Sequence, residues 1–268
     1  VRNVPVPGFG PIDPRRPIPS LSGIPTIRFD GWSVYHALTL KAQKRFSHGY
    51  SLSANYTWSK SIDDASSPGP TEAETNKPQD VRNLDAERGL SSFDRRHVFV
   101  GSGAVEFPFL QGAGGWKEAI GGGWRLTAIV TLQSGAPFTV NLGSDHANIG
   151  SGPAQRPDVV RDPNLPGSDR MPDRWFDTDA FLLPAPFTFG NSARNTVFGP
   201  AYANVDASLQ KNYRLGDDNR LEIRIEMFNV LNRANFELPN RTAFTPNFGR
   251  IFGARNPREM QFGLRFVF

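Results

Sequence analysis

Cysteine is absent from the 268 residues, which excludes disulfides and thiolate metal sites and leaves the redox compartment open. Long apolar runs are absent as well. No stretch of 18 or more exists, so no helix of this chain is expected to span a membrane. That absence does not bear on a β-barrel, whose spanning strands need only ~9–11 residues, half of them polar. Charge of one sign is scarce: 30 Lys and Arg face 26 Asp and Glu, and no basic stripe is interleaved with aromatics, so nucleic acid is not an expected partner. No start methionine stands at Val1, and no charged segment followed by an apolar one opens the chain, so the sequence reads as processed or as a fragment.

Glycine (26), proline (23) and phenylalanine (21) are plentiful, a mixture that suits short strands joined by turns better than helices. Residues 1–31 hold Pro5, Pro7, Pro11, Pro14, Pro17, Pro19 and Pro25, too many for a helix or an interior strand, and read as an external loop. From 32 onward the pattern alternates. Val34, Leu38, Leu40, Ala42 and Phe46 share one parity; after the turn "SHG", Tyr50, Leu52, Ala54, Tyr56 and Trp58 do so again, which predicts a hairpin with one apolar face. A third strand is expected at about 97–107, weakened by Gly101 and Gly103. A fourth follows the Gly-rich connection "QGAGGWKEAIGGG" and places Trp124, Leu126, Ala128, Val130 and Leu132 on one side. Ala203, Val205, Ala207 and Leu209 mark the fifth, which turns at "GDDN" into a sixth with Leu221, Ile223, Ile225 and Met227. The seventh is the tail "REMQFGLRFVF", with Met260, Phe262, Leu264, Phe266 and Phe268 on one parity.

The connections alternate between short and long, the long ones spanning about 61–95, 135–201 and 232–257. Outer-membrane barrels have this asymmetry, with short periplasmic turns and long external loops. Phe46, Tyr50, Phe107, Trp124, Tyr213 and Phe268 fall at the short-turn ends, where a barrel carries an aromatic girdle; Tyr56 and Trp58 fall at the other end. Lys44 and Lys211 share the apolar parity at the short-turn rim, where a long stem can snorkel. On the opposite parity Arg125, Glu222, Arg224, Glu226, Gln261 and Arg265 are placed to pair across strands in a wet lumen. A soluble β-sandwich would alternate for the same geometric reason. Edge closure in lipid favours the barrel. Seven strands do not match the even numbers of bacterial barrels, so the expected fold class is all-β, the C-terminal portion of a larger antiparallel transmembrane barrel.

The sequence offers little chemistry. Asp63 and Asp64 in "SIDD" are adjacent acids after a strand and read as turn formers rather than a catalytic pair. His36, His48, His97 and His146 lack metal-ligand spacing, Gly121–Gly123 lacks a following GK[ST], and Ser134 lacks a nucleophile elbow. No EF-hand-like spacing marks a cation site. No enzyme activity, cofactor or metal is expected. "DRWFDTDAF" puts Arg174, Trp175, Asp177 and Asp179 in the longest external loop, where they are either substrate contacts or anchors of that loop.

The stretches "YHALTLKAQKRFSHGYSLSANYTWSKSIDDAS", "GGWRLTAIVTLQSGAPFTV", "WFDTDAF", "FTFGNSARNTVFGPAYANVDASLQKNY", "IRIEMFNVLNRANF" and "PREMQFGLRFVF" resemble the C-terminal barrel of TonB-dependent outer-membrane receptors. The closest likeness is to the Oar-like group with a carboxypeptidase-regulatory-like domain, and it runs from Tyr35 to Phe268. The resemblance implies a 22-stranded barrel, with a plug and a TonB box that this sequence does not contain. It implies a bacterial outer-membrane location with a periplasmic C-terminus, contact with lipid and lipopolysaccharide, uptake of an extracellular solute, and energy from TonB, ExbB and ExbD through the missing N-terminal part. It also implies that Phe262, Leu264, Phe266 and Phe268 form the signal read by the barrel-assembly machinery. A structural or adhesive surface protein and a soluble binding module are the alternatives.

Overall fold

Seven long strands form where the alternation runs unbroken: β1 (Ser33–Ser47), β2 (Tyr50–Asp63), β3 (His97–Phe107), β4 (Trp124–Gln133), β5 (Tyr202–Arg214), β6 (Arg220–Phe228) and β7 (Glu259–Val267). The computed structural model describes residues 2–67, 71–75, 77–108, 115–150, 154–215 and 219–268. The strands pair antiparallel in chain order, β1 to β7, in one sheet. Among the described residues β1 and β7 do not pair with each other, so the sheet is open. β1 has 15 residues. At ~3.4 Å per residue and a tilt of ~45°, it exceeds the ~25 Å apolar band of an outer-membrane barrel.

The register keeps one parity together across all seven strands except at the turn end of β1, where it shifts between Lys44 and Ser47 and leaves Phe46, expected on the apolar parity, with its ring 5.9 Å from the guanidinium of Arg125, a polar-face residue. Leu40 faces Tyr56, Tyr56 faces Phe99, Phe99 faces Leu132, and Leu132 faces Ala203; farther on, Leu209 faces Ile225 and Ile225 faces Phe262. The opposite face is polar. Its ion pairs join Arg125 to Glu106 (3.9 Å), Arg224 to Glu226 (3.6 Å) and Arg265 to Glu222 (3.7 Å). Gly101 fits the apolar face because the Phe99 ring lies across it, 3.1 Å from where a Cβ would stand.

All three long connections leave from one end. They are not structureless. The described residues of 64–96, 134–201 and 229–258 fold together into a cap with its own core of Ala73, Phe138, Val140, Leu142, Phe176, Phe181, Val197 and Ala243. Phe176 is the hub, 5.2 Å from Phe248, 5.7 Å from Phe138 and 6.0 Å from Phe181, ring centre to ring centre. Burying each such ring contributes roughly 1.5–3 kcal/mol. Two-residue ladders tie the cap, including a parallel pair of Thr242–Ala243 with Asn141–Leu142. No residue of β1 to β7 belongs to a described apolar core. Among the described residues the greasy face of the sheet packs into no apolar core, whereas a soluble sandwich would require it to do so.

The strand limits depart from expectation in two places. β2 continues to Asp63, with Gly89–Leu90 pairing to its end, so the first long connection begins at 64 rather than 61. The Gly-rich connection before β4 contains a helix, α1 (Gly115–Gly121); its residues 111–114 lie outside the described residues. So do residues 216–218 of the "GDDN" turn between β5 and β6. The Pro-rich segment lies against the cap: Val4 packs with Ala147 and Ile149, and Asn148 donates to the Gly8 carbonyl.

Candidate functional site

The short-turn rim explains the two lysines on the apolar parity. Lys44 Nζ lies 3.6 Å from the Tyr50 ring centre and donates to the Ser47 carbonyl at 2.9 Å. Lys211 Nζ donates to the carbonyls of Ile120 (3.1 Å) and Gly122 (2.6 Å) at the C-terminus of α1, where backbone acceptors are free and a cation is favoured. Gly123 is required there. Its φ is +73°, and a Cβ would sit 2.6 Å from the Asn212 carbonyl.

At the other end the cap is locked to the sheet by buried charge. Asp63, at the end of β2, and Glu74 both bind Arg194, at 2.9 and 2.8 Å, and all three side chains are buried. Burial pulls the Arg194 pKa down, but Glu74 and Asp63 outweigh it and the group lies above its ordinary value. Asn195 donates to Glu74 Oε2 at 3.0 Å. A second buried pair, Arg156 with Glu87 at 2.7 Å, joins the same two connections. Asp63 is therefore the anchor of a buried ion pair at a strand end rather than a turn former. Asp64 accepts the Trp32 backbone N–H at 3.0 Å.

The loop candidates gather at one corner of the cap. Trp175 packs on its core and donates Nε1–H to the Phe198 carbonyl at 2.9 Å. Asp177 accepts from Arg161 (2.7 Å) and Arg174 (2.9 Å), and caps the turn Thr178–Ala180 through the Asp179 N–H. Burial raises its pKa, but the two guanidinium groups overcome this and hold the carboxyl below the usual carboxylate value. Asp179 is exposed, 3.6 Å from Arg174. These contacts are internal to the cap, while the Arg174 and Asp179 side chains also reach solvent.

A cleft of about 570 Å³ opens on the polar face where β5, β6 and β7 meet the last long connection. Asn204, Asp206 and Tyr202 come from β5, Phe228 from β6 and Glu259 from β7; Asn235, Glu237 and Arg255 come from residues 229–258. The Arg255 guanidinium stacks on Tyr202 at 4.7 Å. Asp206 is held by Asn204 (2.8 Å) and by the Asn229 N–H (2.9 Å), whereas the Glu237 carboxylate is exposed. Such walls offer hydrogen bonds of both senses and an aromatic–guanidinium platform for a polar solute. Among the described residues no group of three or more His, Asp or Glu is placed to hold a metal ion. Sequence reasoning missed this cleft because its residues come from three strand ends and a loop. The one sequence signal was their shared polar parity.

On β7, Phe262, Leu264 and Phe266 lie on the apolar face at 76%, 73% and 52% exposure, and Phe268, just past the strand, is 93% exposed. Phe266 and Phe268 stack at 5.9 Å.

The model of one protein family, described as an outer membrane beta barrel domain, matches residues 2–261. No curated protein matches the chain.

Proposed function

The chain belongs to the outer-membrane β-barrel domain family, and from that premise we propose that it is the C-terminal wall of a receptor that admits a solute to the periplasm. The observation that carries this reading is the pairing of an uncovered apolar face with a polar face that leads to the cleft beneath the cap. The apolar face serves as the lipid-facing wall and the polar face as the lumen. The cap narrows the mouth, so a solute reaches the lumen past Tyr202, Asp206 and Arg255. On this reading the protein is a conduit without a catalytic step.

The finer proposal is a TonB-dependent receptor of the Oar-like group, with a 22-stranded barrel, β7 ending in the periplasm, and coupling to TonB, ExbB and ExbD through a plug-bearing N-terminal part. The residues quoted above for that resemblance support it. In cells carrying the full-length protein, uptake is expected to be saturable and abolished by a protonophore. Absence of gradient-dependent uptake for every candidate solute would refute it. The folded cap favours a second reading, a structural or adhesive surface protein, which predicts binding of cells to a surface through the cap with no uptake.

A further inference from the structure

Across the cap, arginines are matched to carboxylates of the chain itself: Arg156 to Glu87, Arg194 to Asp63 and Glu74, Arg161 and Arg174 to Asp177, and Arg250 to Asp173. The cleft on the polar face breaks this pattern. Arg255 and Glu237 both line it, yet neither forms an ion pair, with the other or with any group among the described residues. The Glu237 carboxylate lies over the backbone of Gly253, where a Cβ would overlap Oε2. Both hydrogen bonds to Asp206 end on Oδ1, so Oδ2 has no partner among the described residues. Arg255 adjoins a second cation: burial, the largest influence, draws the Arg95 pKa down and Asp94 raises it, but the nearness of Arg255 draws it down again. The buried amide of Asn235 completes the set. It is 4% exposed, its Oδ1 accepts the Ala203 N–H at 3.0 Å, and its Nδ2 has no partner among the described residues. The unpartnered side-chain atoms shut off from solvent are Ser192 Oγ and Ser208 Oγ, so Asn235 Nδ2 opens to the cleft that its side chain lines. A donor so placed calls for an oxygen of a ligand.

We propose that the cleft takes a zwitterionic solute, one that carries an ammonium and a carboxylate, as an amino acid or a short peptide does. The inference rests on the reading that a solute passes this cleft to reach the lumen, and it names that solute's class. The carboxylate goes to Arg255, whose planar fork suits it and whose neighbour Arg95 adds positive charge. The ammonium goes to Glu237 and to Asp206 Oδ2. Asn235 Nδ2 donates to a carbonyl or carboxylate oxygen of the same solute. A neutral polyol would make the hydrogen bonds but leave Arg255 and Glu237 without counter-charges. A solute of one sign would satisfy one of them and be repelled by the other. The cleft volume of about 570 Å³ falls within the range of small-molecule sites.

The test measures binding to the full-length protein in mild detergent by equilibrium dialysis, with radiolabelled glycine, diglycine and triglycine as probes. The series varies the distance between the two charges and separates a free amino acid from a peptide. At least one member is expected to bind, and its N-acetyl and C-amide derivatives, which lack the ammonium and the carboxylate respectively, are expected to bind about tenfold or more weakly. Glu237→Gln is expected to weaken the parent probe by a similar factor and to leave the N-acetyl form unaffected; Arg255→Gln is expected to do the same with respect to the C-amide form. Both side chains are exposed and in no ion pair, so the variants are expected to fold, and the gel shift of unboiled samples checks it. Binding of no member of the series overturns the proposal. So does equal or tighter binding of either blocked form, or of maltotriose, a neutral solute. The expected binding pattern without gradient-dependent uptake refutes the conduit and leaves the zwitterion site standing, whereas saturable uptake of another solute without binding of these probes does the reverse.

Discussion

Replacing Arg194 with Met is expected to open the cap and leave the sheet standing. The guanidinium donates to Glu74 Oε2 at 2.8 and 3.0 Å, to Asp63 Oδ1 at 2.9 Å, to Ser66 Oγ at 3.0 Å, and to the carbonyls of Asp63 (3.1 Å) and Glu87 (2.6 Å). Met fills much of the space but donates nothing. Asp63 and Glu74 then remain as two like charges, 1% and 3% exposed. Breaking a buried ion pair by removing one partner costs about 3–5 kcal/mol, which raises the open population of the cap by roughly two to four powers of ten. Limited trypsin digestion of the full-length protein in outer-membrane vesicles reads that population, because cleavage tracks opening when the cap recloses faster than it is cut. Cutting at Arg161, Arg170 and Arg174 is expected to accelerate by that factor, with the unboiled gel shift unchanged, since no strand residue belongs to the cap core. Adding Asp63→Asn and Glu74→Gln removes the stranded charge and should return part of the protection. A digestion rate within about threefold of the unaltered protein would refute the reasoning, because the cost of a stranded buried carboxylate is far larger than that.

Phe176→Ala removes the ring at the centre of the cap and is expected to cost about 3–5 kcal/mol of cap stability, seen as faster proteolysis in the same assay. Because Arg161 and Arg174 depress the Asp177 carboxyl, its stabilising contribution is full above the unfolded value of about 3.9 and is lost as pH falls through the lower folded value. Cap protection is therefore expected to hold from neutral pH to about pH 5 and to fall below about 4, and Asp177→Asn is expected to flatten that decline, as measured with an acid-stable protease. Deleting Phe268, or changing it to Ala, is expected to slow assembly of the full-length protein in pulse-chase measurements of the gel shift; unchanged kinetics would remove the assembly role proposed for the tail.

The sheet was legible because a strand's side-chain period is two, so each of the seven alternating segments reports its own face without reference to any partner. Tyr56, Leu126 and Phe262 could be assigned to one face from local pattern alone, and the register later carried that face across every strand. The contrast between short and long connections was legible for the same reason, as the distance between segments. The cap was not. Its core joins Ala73, Phe176 and Ala243, residues far apart in stretches with no period, and nothing local distinguishes a packed loop from a solvated one. Asp63 illustrates the limit, since its neighbour Asp64 suggested a turn while its actual partner is 131 positions away.

From its sequence alone this protein was committed to an antiparallel sheet with one greasy and one wet side, because alternation is a property of the chain itself. Only the tertiary structure decided what the wet side meets at the loop end: a cap held by Arg194 over the polar face, and a cleft built from three strand ends. Those features depend on which distant segments come together, and ion pairing and aromatic packing between loops leave no periodic trace in the order of residues.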